Sequence, residues 1–393
     1  MNINIISMIE YEYENLIKIR RDFHKHPELS TQELRTSKKI CEYLEKWNIK
    51  YENGFADTGV IGLIIGRKPG KTIALRADID ALPIKEKTGL EYESTNEGVM
   101  HACGHDIHTT ILLGVGKVLK AMESEISGNV KLLFQPAEEA IGGAERMIKE
   151  GCLENPTVDY VLGLHVMPYL PVGKVELKYG KLNCNTGGVE IEVTGKSGHA
   201  AYPDTAIDAI VIACHIVIAL QTLVSRNMSP LNSVVLSFGK ISGGKKNNII
   251  TDKVIISGTL RCLDTKSREN AKKIIKRISE NTAKAFGGIA SIDFKDGYIA
   301  LINNDNVMDV LVQNAKDVFG RDNIVYKEYP SLGGEDFSYF TDKIPGAFFH
   351  LGSGIRGKRD FAPLHSSYFM VDEECIKLGV EIQIKTLLKL LET

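Results

Sequence analysis

The sequence predicts an α/β protein of two domains, a mixed-sheet domain interrupted by a ferredoxin-like α+β domain. Three observations lead there. The chain has 393 residues, beyond the roughly 250–300 at which a single hydrophobic core stops growing. Short β-rich apolar runs alternate with helical stretches up to residue 182. From 183 to 295 the order becomes β-α-β-β-α-β, and the first rhythm then resumes.

Residues 8–48 predict helix, broken at Pro27 and restarted after Ser30, where Ser30 and Glu33 fit a capping box. VIGLIIG (60–66) and TIALRAD (72–78), separated by RKPGK, read as a strand pair. A helix follows Asp106. NVKLLFQP (129–136) and YVLGLHV (160–166) are buried-type strands around the helix GGAERMIKEG. GGVEIEVTG then alternates apolar and polar residues as a one-faced strand does. A long helix (205–225), the strands SVVLSFGKI and KVIISGTLRCL, a charged helix (265–286) and ASIDFKDG complete the insertion. The helix 304–319 and the strand AFFHLGS return to the α/β pattern. The expected domains are therefore 1–182 with 296–393, and 183–295.

Charged residues make up 25%, hydrophobic residues 43%, and the net charge is -2, a balance that points to a soluble globular protein with no nucleic-acid or membrane partner. The N-terminal stretch lacks a basic region and runs into Glu10, Glu12 and Glu14, unlike a signal peptide. AIVIACHIVIAL (209–220) is too short for a membrane span and reads as a buried helix. Seven scattered cysteines, odd in number and without paired spacing, predict reduced thiols and a cytoplasmic location.

The chemistry concentrates in HACGHDIH, where His101, Cys103, His105, Asp106 and His108 crowd a strand-to-helix transition. In open α/β sheets, ligands bind beyond the carboxyl ends of strands. Adjacent Glu138 and Glu139 follow another strand, which ends at Gln135; two such carboxylates can divide metal ligation from proton transfer. His165 ends a third strand, and His365 lies in the Pro-flanked loop FAPLHSSYF. Taken singly, a histidine or a glutamate pair of this kind is more often a surface or hydrogen-bonded group. The joint occurrence at four chain segments raises the set above that. His101 and His108 read as supporting or structural groups rather than ligands. A closed structural zinc knuckle would need further ligands at short spacing, and none follow.

The motifs RRDFHKHPELSTQE, LRADIDALPI, MHACGHDIHT, FQPAEE, GLHVMP, GKSGHAAYPDTAIDA, GTLR, GGEDFSYF and APLHSSYF occur in that order across nearly the whole chain. On them the sequence resembles the M20 metallopeptidase family. Within it, the resemblance is to the amidohydrolase branch of N-acyl-amino-acid amidohydrolases, hippurate hydrolases, auxin-conjugate hydrolases and N-acetyldiaminopimelate deacetylases. The resemblance implies a zinc-peptidase-like catalytic domain and a lid that carries a homodimer contact. It also implies two divalent ions per chain (manganese, zinc, cobalt or nickel) held by Cys103, His105, Glu139, His165 and His365. Glu138 matches the general base, and Asp78 and Asp80 match carboxylates that orient the ligands. From the lid, His199 would stabilise the oxyanion, in the partner subunit's site, and Asn248 with Arg261 would hold the substrate carboxylate. The branch usually has proline where Thr251 stands. GGEDF (Glu335, Asp336) is placed at the pocket and not on the metal.

The expected reaction is hydrolysis of an N-acyl-L-amino acid to a carboxylic acid and a free amino acid. The alternative within the family is a metallo-carboxypeptidase or dipeptidase, against which the cysteine of HACGHD weighs. A non-catalytic binder of metal or acyl-amino acid has no need of a spare glutamate beside the ligand glutamate.

Overall fold

In a computed structural model that describes residues 4–358 and 360–393, the apolar runs become the strands of an eight-stranded and a four-stranded sheet, beside two two-stranded pairs, Gly198–His199 with Ile249–Ile250 and Gly180–Asn183 with Leu301–Asn303. The first three residues of the N-terminal stretch lie outside the described ones. In chain order the helices are α1 (Ile5–Lys25), α2 (Leu34–Lys46), α3 (His105–Ala121), α4 (Gly143–Lys149), α5 (Ala209–Leu220), α6 (Thr265–Ala285), α7 (Asp305–Phe319), α8 (Ser338–Lys343) and α9 (Cys375–Glu392). The strands are β1 (Lys50–Phe55), β2 (Gly59–Ile65), β3 (Lys68–Asp78), β4 (Ser127–Gln135), β5 (Tyr160–Pro171), β6 (Val175–Leu177), β7 (Gly180–Asn183) and β8 (Asn185–Thr194). They continue as β9 (Gly198–His199), β10 (Val234–Gly243), β11 (Ile249–Ile250), β12 (Lys253–Cys262), β13 (Ile289–Asp296), β14 (Leu301–Asn303), β15 (Ile324–Tyr326) and β16 (Gly346–Gly354).

Two compact units result. One runs to Leu182 and includes Ile302–Tyr329 and Asp336–Thr393; the other is Asn183–Leu301 with Pro330–Glu335. The second boundary falls later than 295/296 because the chain beyond β13 stays paired. Gly297 N–H donates to the Thr186 carbonyl at 3.0 Å, and Tyr298 N–H to the Thr186 hydroxyl at 2.8 Å.

The first unit is built on an eight-stranded sheet in the order β1-β2-β4-β3-β5-β16-β6-β15. β3 runs parallel to β4 and β5, and β16 parallel to β5, while β2 is antiparallel to β4. The predicted pairing of 60–66 with 72–78 is corrected, since β4 lies between them. Its VKLLF run is buried throughout and demands an interior position. The predicted strands missed β1, whose polar KYENGF is an exposed edge. Helices α1, α3 and α9 pack against one another, with α3 and α9 also against β3. Because β3, β4 and β5 are parallel, their carboxyl ends gather Asp78, Gln135 and the loops after them at one edge.

The predicted capping box is also corrected. α2 starts at Leu34, and Glu33 makes no side-chain cap bond. The Ser30 hydroxyl instead donates to Asp80 Oδ2 at 2.6 Å, while Glu33 accepts from Thr58 Oγ1 at 2.7 Å and from Ala137 N–H at 2.9 Å.

The second unit is an antiparallel sheet in the order β10-β12-β8-β13, the ferredoxin-like order. Val189, Ile191 and Val193 of β8 are buried against Ile212 and Ile216 of α5 and Ile275 of α6. Helix α5 is shorter than the predicted 205–225 because Asp208 caps it, accepting from Ile210 N–H at 2.8 Å. After Leu220 the chain passes through Gln221 and Thr222 into a wider helical turn, Leu223–Asn227. α5 is not wholly buried as expected; Ile210 and Val211 are 44% exposed and Ile218 67%. No helix of the described residues is long and apolar enough to cross a membrane.

Candidate metal centre

The turn Cys103-Gly104-His105 is where α3 begins. Gly104 sits at φ +85° as the N-cap residue, a left-handed conformation that favours glycine. A Cβ there would lie 2.4 Å from Val166 Cγ2, so the bare backbone is also what lets the turn approach the strand carrying His165. Cys103 Sγ lies 3.3 Å from His165 Nε2.

The two glutamates are planted by a second unusual turn. After β4 and Pro136, Ala137 adopts φ +58°, held by the buried Glu33 carboxylate on its N–H. The Glu139 N–H then donates to Asp80 Oδ2 at 2.9 Å. His365 is likewise at φ +65°, its N–H bonded to the Ala102 carbonyl at 2.9 Å, and its Nε2 lies 3.2 Å from Glu139 Oε1.

Donor atoms of Cys103, His105 and His165 lie within 4.8 Å of one another, as do those of Cys103, Glu139 and His365, and those of His105, Glu138 and Glu139. The three groups share members, so all six of these predicted residues form one cluster. It suits metal on its own chemistry. His105 Nε2 is buried without a hydrogen-bond partner, and the buried Glu139 Oε1 is met only by the His365 ring; such atoms are costly unless a cation meets them. His165 uses Nδ1 on the Val166 carbonyl at 2.7 Å, so the lone pair of Nε2 faces the Cys103 thiol, 3.3 Å away, inside the cluster. Burial pushes His165 well down, toward the neutral ring a metal requires. Burial likewise pushes the Cys103 thiol well up, so a neighbouring cation is what would ionise it.

Asp78 and Asp80 stand behind the ligands. Asp80 Oδ1 is 3.0 Å from His105 Nδ1, fixing which nitrogen is left for metal. Burial disfavours the Asp80 carboxylate, but His105, Ser30 and the Glu139 N–H together hold it below its ordinary range. Asp78 Oδ1 is 2.5 Å from His108 Nδ1, whose Nε2 accepts the Val166 N–H at 2.9 Å. Both nitrogens of His108 are therefore spent on structure, in line with a supporting role. His101 is buried, with neither ring nitrogen hydrogen-bonded, and burial pushes it down to about 4. Asp80→Ala is expected to weaken metal binding about 10–100-fold, read by chelator competition. Unchanged affinity would remove Asp80 from the metal's support.

Sequence reading passed over Arg76, Gln135 and the inner role of Asp336. Arg76 is fully buried and donates to Asp78 Oδ2 at 2.8 Å, Gln135 Oε1 at 2.7 Å and Asp336 Oδ1 at 2.7 Å. Asp336 also accepts from Gln135 Nε2 at 2.7 Å and Ala144 N–H at 3.1 Å. It is a buried brace rather than a group lining an open pocket. An arginine inside TIALRAD was the available signal, since a charge in an all-buried strand must be paired.

The remaining predicted residues belong to the second unit. His199, exposed on β9, accepts the Ala201 N–H through Nδ1 at 3.1 Å, which leaves Nε2 as its donor. Asn248 adjoins it, its carbonyl accepting from Ala200 N–H at 3.1 Å. Arg261 pairs with Thr186 near the far end of β12. Eight residues separate it from Lys253, where β12 starts beside β11, about 26 Å of extended strand. Within this unit Asn248 stands beside His199, at the opposite end of β12 from Arg261.

The sequence profile of Peptidase family M20/M25/M40 matches residues 74–389. An N-acetyl-L-cysteine deacetylase of Bacillus subtilis is 42% identical over 363 residues, 92% of this chain and 85% of that one. Thermostable carboxypeptidase 1 of Saccharolobus solfataricus is 40% identical over 368 residues, 93% of this chain and 92% of its own. Among solved structures, a Bacillus subtilis dinuclear metal-binding peptidase of the M20 family superposes with a TM-score of 0.86 at 33% identity, covering 98% of this chain and 99% of that one.

Proposed function

The chain belongs to peptidase family M20/M25/M40 and is a metal-dependent amide hydrolase, and from that premise we propose that it cleaves N-acyl-L-amino acids to a carboxylic acid and a free amino acid. The observation that carries the reading is a second carboxylate, Glu138, whose donor oxygen lies within 4.8 Å of those of His105 and Glu139, in one cluster with Cys103, His165 and His365. A site for binding alone has no use for it.

Those five residues would hold two divalent ions. When bound, such ions supply Lewis acidity, polarising the amide carbonyl and acidifying water. Mixed nitrogen, oxygen and sulfur donors accept manganese, zinc, cobalt or nickel. Glu138 takes the proton of the attacking water and returns it to the departing amine nitrogen, so one carboxylate serves both halves of the reaction. His199 offers Nε2–H to the developing oxyanion. Arg261 is suited to a substrate carboxylate by its planar fork of donors. His199, with Asn248 beside it, would serve the partner subunit's substrate, as the family resemblance implies. The reading includes a homodimer through the second unit. The exposed apolar face of α5 and the edge strand β10 support it; a monomer in sedimentation would remove this part.

The reading predicts amine release from N-acetyl, N-benzoyl or longer N-acyl amino acids, N-acetyldiaminopimelate included, after loading with manganese, zinc or cobalt. The carboxypeptidase relative keeps one alternative in view. A large preference for dipeptides in kcat/KM would make the chain a peptidase instead.

A further inference from the structure

Outside the metal centre, a group of buried charges lies between α1, the start of α3 and the segment 83–100, which holds no helix or strand of its own. His24, 1% exposed, is at its middle. Its Nδ1 is 2.8 Å from Asp106 Oδ2 and its Nε2 is 3.0 Å from Glu86 Oε1. An ionised carboxylate only accepts hydrogen bonds, so both contacts are made only when both ring nitrogens carry protons, even though the Arg20 Nη2 donor, 3.1 Å from Nδ1, opposes the charge. Charge balance requires the same. Arg20 Nε pairs with Asp106 at 2.9 Å, and Arg20 and Arg21 reach Glu373 at 3.2 and 2.7 Å. With His24 charged, three cations face three carboxylates; with His24 neutral, a buried carboxylate is left uncompensated.

The consequences run toward the metal centre by a definite route. Besides His24, Glu86 binds its own segment, accepting from Thr88 Oγ1 at 2.5 Å and Ser94 N–H at 2.8 Å. The next residue, Lys87, donates its N–H to the Ser367 carbonyl at 2.9 Å, two residues beyond His365. Asp106 directly follows His105.

We propose that His24 is a buried imidazolium that ties segment 83–100 to the first turn of α3, and through Lys87 steadies the loop bearing His365, making it a positioning residue for the metal centre. The groups that face it are Arg20 on its own helix, Asp106 and His101 beside α3, and Glu86 and Tyr92 on the segment. Cys375 lies near Arg20 and Asp106 as a thiol that burial keeps neutral. Burial and Arg20 oppose the charge on His24, but Asp106 and Glu86 outweigh them and raise it above the ordinary histidine range. The clamp is therefore complete at low and neutral pH and is lost as pH rises through that raised value.

The test uses the metal-free full chain, so it does not depend on which substrate is cleaved. Hydrogen exchange is followed at the Lys87, Ser94 and His365 amides from about pH 6 to about pH 10, with imidazole nitrogen NMR of the ten histidines alongside. Protection at these amides, corrected for the intrinsic base dependence, should fall through a single titration, and one buried ring should hold two protons at about pH 7. Histidine 24 replaced by glutamine, His24→Gln, keeps one hydrogen bond without the charge. That variant should flatten the pH dependence and weaken metal binding by up to about tenfold by chelator competition. Protection independent of pH in the wild-type chain, or a neutral ring at His24, would overturn the proposal even if the variant does not fold.

Discussion

Glu138→Gln is expected to lower kcat by about 10²–10⁴-fold while the chain keeps its metal. The amide has the shape of the carboxylate but cannot take a proton at neutral pH. None of the five ligands changes, so metal content should match wild type. Glu139→Gln is the contrast: Glu139 Oε1 is buried beside His365 Nε2 and shares a ligand group with Cys103 and His365, so its loss should appear first in metal content. Metal analysis and kcat on the same N-acyl amino acid separate the two. Near-full activity of a metal-loaded Glu138→Gln protein would sink the assignment of the proton carrier.

The second large effect is expected away from the ligands. Arg76→Met should destabilise the first unit by about 3–5 kcal/mol, since it strands two carboxylates, Asp78 and Asp336, in the interior. His105 and His108 lie against Asp78; burial opposes its charge, but they and Arg76 hold it well below the ordinary carboxylate range. Removing the guanidinium therefore also loosens the support of His105. Denaturant unfolding followed by a probe in the first unit reads the stability, and adding Asp336→Asn to Arg76→Met should recover part of the loss. Additive losses in the double variant would mean the two groups are not coupled.

Much of this protein was legible in local pattern. Buried-type runs marked β3, β4, β5 and β16, and strict alternation in GGVEIEVTG marked β8 as a one-faced strand, because side-chain period follows directly from backbone geometry. The candidates Cys103, His105, Glu138, Glu139, His165 and His365 were legible because their residue types stand at strand and loop ends, and folding brings their donor atoms into one cluster. The misreadings arose where a local rule had a distant competitor. Ser30 and Glu33 satisfy the spacing of a capping box, yet both side chains are taken by Asp80, Thr58 and Ala137. RKPGK looks like a turn between paired strands, yet a strand 50 residues further on separates them.

By itself the sequence determined which residues could carry the chemistry and which segments would be strands or helices, since both depend on side-chain type and on periods of two or 3.6 residues. Tertiary structure alone decided who touches whom. Only folding sets His108 on Val166, Arg76 between Asp78 and Asp336, and His24 between Asp106 and Glu86. The physical reason is that a buried polar group must find a partner wherever the packed chain supplies one, and nothing in its sequence neighbourhood specifies how far along the chain that partner lies.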